Sequence, residues 1–205
     1  MKNLDILRYV LSALVAYGIG NISGAVIMSR IWKGDDIRKH GSGNAGTANM
    51  LRVYGKRAAI ATFAIDGAKG ILAVILGRLF GGEIGGYIAA VMVIIGHDWP
   101  VALGLKGGKG VATGVCALIA IDWRSGLIVL AIGLILIALT QTFSLGALIV
   151  CAIYPFLSIW LYWGYWQKII TIFLICGLVV YGHRTNITRL FSGTERRATK
   201  RKRVK

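Results

Sequence analysis

Two adjoining stretches of this chain, 126–142 and 145–164, contain no Asp, Glu, Lys or Arg. Water offers such runs no stable exposure, and a helix of about 20 apolar residues matches a bilayer core of roughly 30 Å. The pattern recurs along the chain. Hydropathy predicts apolar spans at 6–29, 57–80, 84–105, 111–121, 126–142, 145–164 and 169–181. The fourth is short for a crossing, so it can be a half-helix, which would leave six spans. Of the 205 residues 56% are hydrophobic, which excludes a disordered chain and argues against an ordinary soluble domain. The first run is too long for a signal h-region and lacks a small-residue cleavage pattern, so it is read as a retained span.

The net charge of +16 raises the question of nucleic acid. No recognition motif is present, and the cations sit at the ends of apolar runs, where membrane topology and anionic headgroups explain them. With seven spans, eighteen Lys and Arg fall on the side holding 30–57, 105–110 and the tail, against five on the other. The positive-inside rule then puts the N-terminus outside and the C-terminus in the cytoplasm. The expected fold is all-α: a polytopic integral membrane protein of seven transmembrane helices (six if 111–121 does not cross), one domain over 1–205 with a basic tail at about 196–205. That tail reads as a solvated arm touching membrane lipids. Cys116, Cys151 and Cys176 lie in apolar runs and read as buried thiols.

Three segments on the inner side are unlike loops. "LGLKGGKGVATG", 103–114, puts two lysines on a glycine-rich backbone between apolar runs. It is not a P-loop: three residues rather than four separate Gly104 from Gly108-Lys109, and Gly110 follows the lysine. Its chemistry is similar all the same. Backbone N–H groups turned to one point beside the helix start at Val111 attract an anion, and Lys106 and Lys109 add full charges. In 39–57, Gly41, Gly43 and Gly46 alternate with Ser42, Asn44, Thr47 and Asn49, and Arg52 follows. Asn44 or Thr47 could equally cap a helix through Leu51. In 181–195, His183 and Asn186 share a helix face, with Arg189 and Glu195 beyond, and a histidine takes or gives a proton near neutrality. Asp66, Lys69, His97, Asp98 and Ser144 lie inside or at the rims of spans, where charges pair or line a cavity. Asp66 and Lys69, three residues apart, can neutralise each other.

Gly41-Ser42-Gly43-Asn44-x-Gly46 with Asn49 and Arg52, Gly96-His97 through Lys106-Gly107-Gly108-Lys109-Gly110-Val111-Ala112-Thr113, and His183-x-x-Asn186-Ile187-x-Arg189-Leu190 with Gly193 and Glu195 resemble the bacterial acyl-phosphate:glycerol-3-phosphate acyltransferases, the PlsY family. The resemblance covers nearly the whole chain. It implies seven spans, an outside N-terminus, an inner-membrane location and a site on the cytoplasmic side. It also implies transfer of a fatty acyl group from long-chain acyl phosphate to the sn-1 hydroxyl of glycerol 3-phosphate, giving lysophosphatidic acid and phosphate. Carried over residue by residue, it assigns Lys106, Gly107, Gly108, Lys109 and Gly110 to glycerol 3-phosphate. Ser42, Asn44, Arg52, His183, Asn186 and Glu195 fall on functional positions. Thr113, His97 and Ser144 are added as substrate contacts. The chain departs from the family at Thr47-Ala48-Asn49, usually Ala-Thr-Asn, and at Gly20-Asn21-Ile22-Ser23, usually Gly-Ser-Ile-Pro.

Two anionic substrates repel each other, so cations and N–H donors come first. Phosphate is already a good leaving group. No G-x-S-x-G elbow is present, and the residues five beyond the histidines are Ala45, Ala102 and Thr188, so there is no His-x4-Asp pair. Direct attack without an acyl-enzyme is expected, with His183 as general base, Asn186 orienting, and Ser42 as a phosphate ligand. A substrate phosphate could instead take the proton. No cofactor or metal is called for. The competing class is a transporter of a phosphorylated metabolite, which would also need spans and anion sites.

Overall fold

The computed structural model describes residues 2–198. Within them every regular element is helical. Helix α1 (Lys2–Gly20) carries Asp5 in its first turn, where the helix dipole favours an acid. It stops at 21–23, inside the predicted first span. Ser23 then caps α2 (Gly24–Lys33), its Oγ accepting Val26 N–H at 3.3 Å. The break is possible in an apolar setting because Lys69 Nζ donates to the freed carbonyls of Gly20 and Ile22, the former at 2.9 Å. Asp66 lies 3.4 Å from the same ammonium and completes its neutralisation. The expected Asp66–Lys69 pair is thus also the clamp on a broken helix.

Helix α3 (Thr47–Tyr54) leads into α4 (Lys56–Asp98). Non-helical Gly81 and Gly82, the latter at φ +62°, let α4 fold back on itself. Its arms are antiparallel: a Cβ on Gly77 would come within 2.5 Å of Ala89 Cβ and of Gly85 O. The sequence segments 57–80 and 84–105 contain these arms. A Cβ on Gly96 would meet Tyr17 O at 2.3 Å, and one on Gly70 would meet Thr113 O at 2.4 Å. Small residues therefore let α1, α4 and α5 (Val111–Ile121) pack backbone to backbone, the usual solution where lipid supplies no hydrophobic drive. Helices α6 (Trp123–Thr140), α7 (Phe143–Leu161) and α8 (Trp166–Gly182) follow, then the short α9 (Arg184–Phe191).

By length and composition Asn3–Lys33, Lys56–Leu103, Trp123–Thr140 and Phe143–Leu161 can cross a bilayer. The pair α8 and α9, bent by 60°, makes a fifth if it is one broken span. Large apolar side chains such as Leu79, Leu139 and Trp160 stand exposed on these helices, as lipid-facing residues do. The inner core is Val93, Ile94, Ala117, Ile172 and Ile175 with their neighbours, where α4, α5 and α8 meet. Cys116 and Cys176 are buried free thiols and Cys151 is a half-buried one.

Candidate active site

The three glycine-rich segments meet at one end of this bundle. The first is a loop stapled by Asn49, which is 1% exposed. Its Oδ1 accepts Ser42 N–H at 2.9 Å, and its Nδ2 donates to the carbonyls of His40 and Asn44 at 3.0 Å each. A Cβ on Gly41 would sit 2.3 Å from that Oδ1, so the loop closes only around glycine. Neither Asn44 nor Thr47 caps α3; its cap is Gly46, with no side-chain bond. Asn44 Nδ2 instead donates to Gly107 O at 3.3 Å, and Ala45 N–H reaches the same carbonyl. The first segment is thereby bonded to the second.

In the second segment Gly107 N–H donates to Asp98 O and Gly108 N–H to His97 O, folding the loop back over the end of α4. The approach is very close: a Cβ on Gly108 would lie 1.9 Å from His97 Nε2, and one on Gly107 2.0 Å from His97 O. His97 is itself fixed. Lys69 Nζ donates to its Nδ1 at 2.7 Å, so the neutral ring carries its proton on Nε2, under Gly108. Gly110, at φ +68°, turns the chain into α5.

The third segment is packed on Lys109, since a Cβ on Gly182 would come within 3.4 Å of Lys109 Cα. Lys109 Nζ donates to Asn186 Oδ1. Asn186 Nδ2 donates to Glu195 Oε1 at 2.6 Å, Ser144 Oγ to the same oxygen at 2.9 Å, and Arg189 Nε to Glu195 Oε2 at 3.0 Å. Burial raises the Glu195 pKa, but the bonds from Arg189, Asn186 and Ser144 outweigh it and hold this carboxylate below its usual value. Glu195 thus orients Asn186, and Asn186 aims Lys109. His183, 5% exposed, hydrogen-bonds Val179 O through Nδ1 at 2.8 Å. Nδ1 must donate to a carbonyl, which leaves Nε2 as the acceptor of a neutral ring.

Two cavities open here. A polar one of about 250 Å³ is lined by Ser42, Asn44, Asp98, Lys109, Arg184 and Arg189 among others. An apolar groove of about 610 Å³ runs between α3, α4, α5, α6, α7 and α8, lined by Phe63, Leu118, Leu130 and Ile175 and also by His97 and His183. Asn44 and Lys109 line both. A small anion in the first would therefore lie against the end of a chain in the second. Burial, then the charges of Arg189, Arg52 and Arg184, bring Lys109 down to about 8. Lys109 is cationic below that value and loses its charge above it. We expect KM for a phosphorylated substrate to rise as pH goes from 7 to 9, with a break near 8 that Lys109→Arg removes, in initial-rate measurements across that range.

Other predicted contacts line neither cavity. Arg52 bonds the backbone carbonyls of Arg196 and Arg197 at 3.3 and 3.2 Å, so the start of the basic tail lies across it. The remainder of that tail, 199–205, lies outside the described residues. Lys106 is exposed and lines neither cavity. Thr113 is fully buried and donates to Asp66 O at 3.0 Å, tying α5 to α4. Ser144 and Glu195 line neither cavity and act on the site through Asn186. Arg184, Thr185 and Asp98 line the polar cavity without having been singled out as substrate contacts. For Asp98 the available signal was its charge at the rim of a span, beside His97.

A bundle whose described residues form only helices, with lipid-facing apolar side chains and a cationic cavity opening onto an apolar groove, belongs to the class of membrane-embedded helical proteins. The sequence model of the family described as glycerol-3-phosphate acyltransferase matches residues 10–193, and the chain belongs to that family. A glycerol-3-phosphate acyltransferase of Thermoanaerobacter sp. (strain X514) is 41% identical over 196 residues, 96% of this chain and 98% of that one. One of Clostridioides difficile (strain 630) is 40% identical over 205 residues, 97% of this chain and 100% of that one. Among solved structures, PlsY (YgiH), an integral membrane glycerol 3-phosphate acyltransferase in its glycerol 3-phosphate form, superposes with a TM-score of 0.85 at 27% identity. That likeness covers 92% of this chain and 94% of PlsY. Its lysophosphatidic acid form gives 0.83 at 25% identity.

Proposed function

We propose that this protein acylates the sn-1 hydroxyl of glycerol 3-phosphate from long-chain acyl phosphate, releasing lysophosphatidic acid and phosphate. The observation that carries the reading is the pair of cavities sharing Asn44 and Lys109. Glycerol 3-phosphate occupies the polar cavity, its phosphate between Arg184, Arg189 and Lys109. The acyl chain lies in the apolar groove, where burial contributes about 0.8 kcal/mol per methylene. The acyl phosphate head then falls at the junction, within reach of Lys109 and the Ser42–Asn44 loop. Concentrated positive charge offsets the repulsion between the two phosphates, which is the first barrier to their meeting.

From there the chemistry is a direct acyl transfer. The substrate hydroxyl attacks the acyl carbon, His183 Nε2 takes its proton, and phosphate leaves with the bonding electrons. Asn186, held by Glu195, keeps Lys109 aimed at the developing charge. Ser42 binds phosphate and forms no acyl-enzyme. The protein crosses the bacterial inner membrane seven times as one domain, N-terminus outside, with this site at the cytoplasmic face. That sidedness suits a soluble acceptor and a lipidic donor arriving from opposite directions.

The test is lysophosphatidate formation by purified protein in detergent, with acyl phosphate, acyl-CoA and acyl carrier protein offered separately. Turnover is expected with acyl phosphate alone, because the junction is built for a phosphate head carried directly on the acyl group. Equal turnover with acyl-CoA would overturn the donor assignment. A His183→Ala protein that kept kcat and changed only KM would remove the base assignment.

A further inference from the structure

One group in the polar cavity fits poorly with simple anion binding. Asp98 ends α4, where the helix dipole already disfavours negative charge. It is 5% exposed, and both carboxylate oxygens are buried with no hydrogen-bond partner. They lie between the second and third segments: a Cβ on Gly110 would be 3.4 Å from Oδ1 and one on Gly182 3.6 Å from Oδ2. Buried carboxylates normally find donors, so an orphaned pair facing a cavity implies that the donor arrives with the ligand.

The chemistry of that donor follows from what a carboxylate refuses. Phosphate oxygens at neutral pH accept hydrogen bonds, and an ionised Asp98 repels them. Hydroxyls donate, and a charge-assisted O–H···O bond is short and strong. Asp98 lines the polar cavity and not the groove, whereas His183 lines the groove and not the polar cavity. The hydroxyl that attacks the acyl carbon belongs beside His183, which leaves Asp98 facing the neighbouring one. We propose that Asp98 accepts the C2 hydroxyl of the glycerol backbone and so fixes which end of glycerol 3-phosphate points toward the acyl group. Two unpartnered buried oxygens make it a specificity determinant as well, because an acceptor without that hydroxyl leaves them unpaired. The inference rests on the polar cavity being the glycerol 3-phosphate site.

The experiment compares native protein with Asp98→Asn in initial rates against glycerol 3-phosphate and against 3-hydroxypropyl phosphate, which lacks the C2 hydroxyl. Inhibition by inorganic phosphate is measured in both proteins. Native protein should use the analogue at least tenfold less well in kcat/KM. In Asp98→Asn the KM for glycerol 3-phosphate should rise about tenfold and the discrimination should shrink to within about threefold. Inorganic phosphate should inhibit the variant as well as or better than the native protein, since a repelling charge has gone. A collapsed site would weaken phosphate inhibition along with substrate binding, so that result overturns the proposal. Unchanged discrimination overturns it too. Should Asp98→Asn not fold, native protein using the two acceptors equally well would be sufficient to reject the proposal. A Lys109→Ala protein with unaltered glycerol 3-phosphate KM would instead show that the cavity itself is misassigned.

Discussion

Lys109→Ala should lower kcat/KM for lysophosphatidate formation by about 10²- to 10³-fold, the usual cost of removing one fixed donor from a site of developing charge. Three features make this residue decisive. It lines both cavities, it is aimed by Asn186, and three arginines surround it. Truncation would leave Asn186 Oδ1 unpartnered and open a gap where the two reactants meet. Lys109→Arg should recover part of the loss by keeping the charge while misplacing the donor. Steady-state kinetics on proteins with matched melting temperatures would check both. A tenfold or smaller loss in Lys109→Ala would put the reacting phosphate elsewhere.

Gly108→Ala should be nearly as damaging through a different cause. The added methyl would overlap His97 Nε2 at 1.9 Å, and that ring cannot swing aside. It is 4% exposed and held at Nδ1 by Lys69, which is itself clamped to Gly20 and Ile22 carbonyls. The loop must move instead. Overpacking of this kind costs about 1–3 kcal/mol and would displace Lys109 next to it. We expect a lower melting temperature and activity reduced at least a hundredfold. Gly177→Ala is the matching control. A Cβ there meets nothing within 4 Å, and α8 should tolerate or welcome the better helix former.

Sequence carried the membrane character because charge-free runs are a composition signal, independent of how helices pack. It also carried the three segments, since glycines, small hydrogen-bonding side chains and cations clustered between apolar runs have few uses. It carried the fold-back of α4 at 81–82, between the segments 57–80 and 84–105, but not the interruption of the first span. The break at 21–23 looks continuous by hydropathy, and Lys69 and Asp66 crossing from α4, with the Ser23 cap, satisfy the backbone groups it frees. The apolar groove was equally invisible: its walls come from six helices, each contributing ordinary leucines, isoleucines and phenylalanines. Asn49 was visible as part of a motif, but its role as the staple of the first loop depends on carbonyls at 40 and 44 turning toward one point. Thr113 and Ser144 show the reverse problem. Polar residues near a site read alike whether they meet substrate, a backbone carbonyl or Glu195.

The most direct measurement is a structure of the protein with glycerol 3-phosphate and a non-transferable acyl phosphonate bound together. The alkyl chain should fill the groove between Phe63 and Ile175, the phosphonate should contact Lys109, and glycerol 3-phosphate should lie beside Arg184 and Asp98. A chain lying outside the groove, or the two phosphorus groups held at separate ends of the bundle, would contradict it.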